Sequence, residues 1–137
     1  PTLDETLVLP NDQTLTLTVH PRAFFQPHPL AAERLIAEVV SRLGKRAREA
    51  RVADLFCGTG TLGLAIAPFV GAVVGVEIVP DAIDNARENA RRAGFGNVTY
   101  LVGDVAQVLA DPAHDAVFRK IDIVLLDPPP RSASSAI

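Results

Sequence analysis

The sequence predicts an α/β fold, a partial parallel sheet with helices on both faces, preceded by a β-hairpin. Three observations predict it. From Arg51 onward, short apolar runs alternate with amphipathic ones, the pattern of strands joined by crossover helices. Within that alternation "AVVGVEIV" is apolar at consecutive positions, as a strand covered on both faces must be. The stretch "DLFCGTGTLGL" places Gly58, Gly60 and Gly63 between a strand pattern and a helix pattern, where a tight turn lets a ligand approach the backbone.

The elements follow in order. "TLVL" and "TLTLTV" flank the turn "PNDQ" and read as a hairpin. "PRAFFQPHP" is a stiff loop whose last proline, Pro29, suits the first position of a helix, and Phe24 and Phe25 read as core packing. Leu35, Val39 and Leu43, with Ile36 and Val40 beside them, form that helix's buried face, and Gly44 ends it. "RVADLFC" is the first strand of the sheet, "TLGLAIA" a helix stopped near Pro68, and "AVVGVEIV" the second strand. "PDAIDNARENARRAGF" is a helix from Pro80 to Gly94, with a buried stripe of Ile83, Ala86, Ala90 and Ala93 and an exposed Glu88–Arg92 pair. "VTYLVGD" and "IDIVLLD" are the third and fourth strands, with a short helix over 105–109 between them, and "RSASSAI" reads as a flexible loop. The hairpin and proline loop occupy 1–28, the sheet domain 29–137.

With 137 residues, 48% hydrophobic and 21% charged, the chain has the composition of one domain with its own core. No apolar run is long enough to span a membrane. A single cysteine excludes a disulfide within the chain and a four-cysteine metal site, and His20, His28 and His114 lack ligand spacing, so no metal is expected. The cytoplasm is the expected compartment. The start at Pro1, without methionine, reads as a piece of something longer. A net charge of −3 argues against RNA binding through charge alone, which leaves RNA open as a substrate held with the help of a second domain. Arg42, Lys45, Arg46, Arg48 and Arg51 read as a solvated helix end.

Acids mark the strand ends. Glu77 ends the second strand about 20 residues after Gly58, where a carboxylate can accept hydrogen bonds from both hydroxyls of a ribose. Asp104 ends the third, where it could meet an adenine amino group or serve as an N-cap in "GDVAQ"; both readings stand. Asp54 weakens the reading as an NAD dehydrogenase, in which the first strand runs apolar into the glycines and which nicotinamide binding alone would support. An acid followed by a glycine-rich turn resembles the first motif of class I S-adenosylmethionine-dependent methyltransferases. "DPPP", from Asp127 to Pro130, resembles the [DN]-P-P motif of those that act on bases.

Taken together, "PRAFFQPHP", "DLFCGTGTLGL", "VVGVEIVPDAIDNARENARRAGFGNVTYLVGD" and "VLLDPPPR" resemble, in order and spacing, the RNA 5-methyluridine methyltransferases. The resemblance implies the Rossmann-like class I methyltransferase fold, S-adenosylmethionine as cofactor, and uracil C5 of tRNA or rRNA as the methyl acceptor. It assigns the methionine end of the cofactor to Gln26. Phe56, Gly58, Gly60 and Thr61 would line the glycine-rich turn, Glu77 would take the ribose diol and Asp104 the adenine side. Asp127 would stand between cofactor and base. The chain departs from the family at His28, where Asn is usual, and at Pro130, an extra residue before Arg131.

The family's nucleophilic cysteine, which adds to C6 of the uracil, and its base, a Glu, are expected beyond Ile137, so no catalytic residue is expected in this chain. Cys57, in the cofactor turn, reads as a small packing residue. The chain thus reads as a C-terminally truncated, cofactor-binding half, inactive alone, with a raw fourth-strand edge through which it could dimerise. Two other readings stand beside this one. An exocyclic-amine methyltransferase would need an aromatic residue where Pro130 stands. A non-catalytic relic would bind the cofactor without turnover.

Overall fold

Period-two alternation organises the sheet. In "RVADL" and "AVVGVE", successive side chains point to opposite faces, and both faces are buried because helices cover them. The computed structural model describes residues 3–19 and 29–126. Strands β3 (Arg51–Leu55), β4 (Ala72–Glu77), β5 (Val98–Val102) and β6 (Ile123–Leu126) form a parallel sheet in the order β5-β4-β3-β6. The chain first steps outward from β3 to β5 and then returns to the other side of β3. The switch point therefore lies between β3 and β6, where open α/β sheets bind ligands beyond the strands' carboxyl ends.

One face carries α1 (Pro29–Leu43), α2 (Thr61–Ile66) and α3 (Pro80–Ala93) over Val52, Val73, Tyr100 and Leu125. The other carries α4 (Val105–Ala110) over Ala53, Leu55, Val74 and Val76. A short helix α5 (Asp115–Phe118), unread in the sequence, follows a 3₁₀ turn at Pro112–His114. The amino-terminal hairpin pairs β1 (Leu3–Val8) with β2 (Thr14–Val19), and Leu9 at its turn sits in the first core. Asp122 ties β6 to β3: its N–H donates to Arg51 O (2.8 Å) and its carboxylate accepts from Arg51 N (2.9 Å).

Helix limits follow the punctuation residues. Pro29 and Pro80 open α1 and α3, and Gly44 (φ +57°) and Gly94 (φ +77°) close them in the left-handed region. Three expectations need correction. Leu35 is exposed and Ile36 carries the inward contact of α1, because the helix's apolar stripe lies one residue further round. Glu88 makes its close ion pair with Arg91, whose Nε lies 3.0 Å away, while the expected Arg92 acts on the same carboxylate through charge alongside it. The second face is not covered along its whole width: Val124 of β6 is 55% exposed, because α4 reaches only β3 to β5. The outer side of β6 is the edge named above for dimerisation, and it is open among the described residues. Among these residues no helix is long and apolar enough to cross a membrane.

Candidate cofactor site

The site is built at the carboxyl ends of β3, β4 and β5. β3 stops at Leu55, two residues earlier than the sequence pattern suggests, because Phe56 turns into the left-handed region (φ +58°). Gly58 (φ +57°) and Gly60 (φ +85°) follow it, so three of five residues adopt a backbone that favours glycine. The turn is closed by Gly60 N donating to Cys57 O (2.9 Å) and enters α2 when Leu64 N donates to Gly60 O (2.8 Å). Gly63 is glycine for another reason. A Cβ there would stand 2.9 Å from an Asp54 carboxylate oxygen and 3.0 Å from Val73 Cγ1, so α2 can lie this close to the sheet only without it.

Two buried carboxylates hold the turn. Asp54, inside β3, accepts a hydrogen bond from Gly63 N (3.1 Å) and so satisfies a first-turn donor of α2 from the strand that precedes it. Glu77 bridges two loops: Oε1 accepts from Gly58 N (3.1 Å) and Oε2 from Val79 N (3.0 Å). Each carboxylate oxygen can accept more than one bond, so Glu77 keeps capacity toward a ligand while 8% exposed. Asp104 is the N-cap of α4, accepting from Gln107 N (3.1 Å) through one oxygen. Thr61 Oγ1 lies 3.2 Å from Thr59 Oγ1, and Phe56 is half-buried against the second core.

Sequence reasoning missed two flanking groups. Ile78 is 59% exposed directly after Glu77, and Val102 is exposed at the end of β5. The available signal was an apolar residue just past a strand-ending acid. Gln26 and Asp127, expected in this site, lie outside the described residues, as do Phe24 and Phe25. A cavity of about 420 Å³ lined by Arg42, Arg46, Glu49 and Asp122 opens at the opposite ends of the strands, away from the turn. Among the described residues no cluster of His, Cys, Asp or Glu could hold a metal.

Cys57 is buried beneath the turn. Burial first, then the Asp54 and Glu77 carboxylates, push its thiol well above the ordinary 9.0, so it stays neutral and unreactive. Burial, with Cys57 and Asp54 nearby, likewise raises the Tyr100 hydroxyl above its ordinary 10.0. Both groups keep their protons in the folded chain, whereas the unfolded chain releases them above those values. Stability is therefore fully present below pH 9 and should fall above it, by up to about 1.4 kcal/mol per pH unit for Cys57 and again for Tyr100. Denaturant midpoints from pH 8 to 10.5 check this. Cys57→Ala should flatten the first part of the fall, and a level profile in the wild type would contradict the burial.

A family model described as a methyltransferase domain matches residues 47–134. An uncharacterised RNA methyltransferase of Protochlamydia amoebophila is 41% identical over 117 residues, covering 85% of this chain and 26% of that protein. Another, of Listeria monocytogenes, is 38% identical over 133 residues, covering 92% of this chain and 28% of that protein. The chain thus spans about a quarter of the length of these curated relatives. The solved Pyrococcus abyssi tRNA (uracil-54, C5)-methyltransferase, in complex with S-adenosyl-L-homocysteine, superposes with a TM-score of 0.69 at 24% identity, over 96% of this chain and 29% of that one. A 16S rRNA guanosine-N2 methyltransferase of T. thermophilus gives 0.74, also at 24% identity, over 94% of this chain and 33% of that one. The fold is thus the Rossmann-like class I methyltransferase fold. With the glycine turn at the end of β3 and a matched span that runs through all four strands of the sheet, the chain belongs to the methyltransferase-domain family.

Proposed function

We propose that this chain carries the S-adenosylmethionine-binding part of the methyltransferase domain of an RNA methyltransferase that modifies uracil at C5. The observation that carries the cofactor reading is Glu77. Its carboxylate fixes the glycine turn through Gly58 N and stands at a strand end next to the exposed Ile78. The residues fit the cofactor. Gly58 and Gly60 take the left-handed backbone that makes the tight turn, and Glu77 has lone pairs for a ribose diol. Ile78 and Val102 offer apolar surface to a planar ring, and Asp104, whose cap bond uses one oxygen, is assigned the adenine side by the sequence motif. Gln26 for the methionine end and Asp127 beside the base are carried by the sequence motifs alone.

When bound, S-adenosylmethionine supplies an electrophilic methyl group on a sulfonium. The chain's own part is to bind and orient it. Asp54 and Glu77 set the turn before the ligand arrives, so little ordering cost falls on binding. RNA as substrate is supported by relatives that carry the name RNA methyltransferase at 41% and 38% identity. Uracil C5 is supported by the segment around Gln26 and by Pro130, which cannot stack on a flipped base as an aromatic residue would.

RNA carrying 5-fluorouridine tests this. A uracil-C5 enzyme needs a thiolate on C6 and then removes the C5 proton. Fluorine blocks that removal, so the full-length protein should remain joined to the RNA on a denaturing gel. The 137-residue chain should not, since Cys57 is buried and neutral. Methyl transfer to ordinary RNA without an adduct would point instead to an amine acceptor.

A further inference from the structure

Tyr100 has no part in the site as described so far, yet it reaches it from below. It lies in β5 opposite Gly75 of β4. Its ring fills the space a side chain at position 75 would take: a Cβ there would come within 2.7 Å of Cδ1 and 2.8 Å of Cε1. The far end of the ring meets the glycine turn. A Cβ built on Gly60 would stand 2.6 Å from the Tyr100 hydroxyl oxygen and 3.3 Å from Cζ. Tyr100 is 6% exposed, and its hydroxyl has no hydrogen-bond partner among the described residues.

A buried hydroxyl without a protein partner lowers stability relative to a phenylalanine in the same place. What the oxygen adds is bulk beneath Gly60, the left-handed residue from which α2 starts, on the side where a Cβ would stand. Gly60 is already tied to Cys57 O through its N–H and to Leu64 N through its carbonyl. Those bonds fix its direction along the turn, and the Tyr100 oxygen stops it from sinking toward the sheet. We infer that Tyr100 is a positioning residue for the cofactor turn, its hydroxyl oxygen setting the height at which Gly60 and the adjoining backbone N–H groups stand. Without that oxygen a gap one atom in size opens beneath the turn, and a ligand must lift the backbone to bind. The inference rests on the cofactor reading above only for the ligand.

Full-length protein with Tyr100→Phe tests it through three measurements. Without ligand, the thermal midpoint should stay level or rise, because the unpartnered buried hydroxyl is gone. Amide hydrogen exchange of Gly60 to Gly63, also without ligand, should quicken against unchanged exchange in β3 and β4. S-adenosylhomocysteine affinity should fall about five- to tenfold, since a shift well under 1 Å costs less than the hundredfold that 1 Å can cost. A lowered midpoint with exchange and affinity unchanged would make Tyr100 plain core packing and overturn the inference, as would three unchanged readings. If the wild type fails to bind S-adenosylhomocysteine, the cofactor reading falls, and the exchange data still decide the role of Tyr100 under the turn.

Discussion

Glu77→Ala should nearly abolish cofactor binding and destabilise the fold at once. The wild-type carboxylate accepts two backbone N–H groups, from Gly58 and Val79, inside a site that little water reaches. Bonds to a charged acceptor contribute about 1.5–3 kcal/mol each, so stability should drop by about 3 kcal/mol, less whatever water recovers at the open strand end. The same carboxylate is assigned to the ribose diol, and losing that pair of bonds should weaken S-adenosylhomocysteine affinity at least about a hundredfold, or about 2.7 kcal/mol. Glu77→Gln separates the two effects, since it keeps the shape and one strong acceptor. It should recover part of the stability and little of the affinity. Calorimetric titration and urea midpoints of both variants give the answer. Unchanged affinity in the alanine variant would remove Glu77 from the binding site.

The second large effect belongs to Gly75→Val. A Cβ at this position would meet two Tyr100 ring carbons at 2.7 and 2.8 Å and Cys57 Sγ at 3.0 Å. None of the three is the free end of a flexible chain: the ring is wedged under Gly60, and the thiol is buried below the turn. Over-packing of a core costs about 1–3 kcal/mol and occasionally more, and here the two further methyl groups of valine enlarge the clash in the middle of the sheet. The expected loss is about 3 kcal/mol or greater, with the urea midpoint lowered and the slope unchanged. Wild-type stability in this variant would mean that Tyr100 does not lie over Gly75.

Much of this was legible in the sequence because it is local. The strand–helix alternation, the proline starts of α1 and α3, their glycine ends and the glycine turn each depend on the backbone preferences of a few adjacent residues. Contacts between distant residues were not legible. Nothing in "VTYLVGD" says that the tyrosine oxygen ends beneath Gly60, because that depends on Gly75 in another strand leaving room for the ring. Asp54 was noticed as a family mark, but its bond to Gly63 appears only once α2 folds back over β3. The left-handed Phe56 was hidden because an aromatic residue at the end of a strand pattern looks like more strand. Asp104 shows the limit from the other side: both of its readings fit the sequence, and its cap bond uses one oxygen without deciding the other.

The pairing of β3 has a consequence for how the chain folds. One edge of β3 joins β4, about 20 residues on, while the other waits for β6, about 70 residues on, and closing the longer loop costs about 1 kcal/mol more. During synthesis the β3-β4-β5 unit can therefore pair while β6 is still unmade, leaving "RVADL" as the open edge of a parallel sheet. Such an edge invites pairing with another copy. Asp54 sits in the middle of that edge, and α2, which lies between β3 and β4 in the chain, already answers its carboxylate through Gly63 N before β6 arrives. What favours the chain's own strand over a stranger's is tethering: β6 reaches the edge as an intramolecular partner, at a local concentration that a second chain does not match.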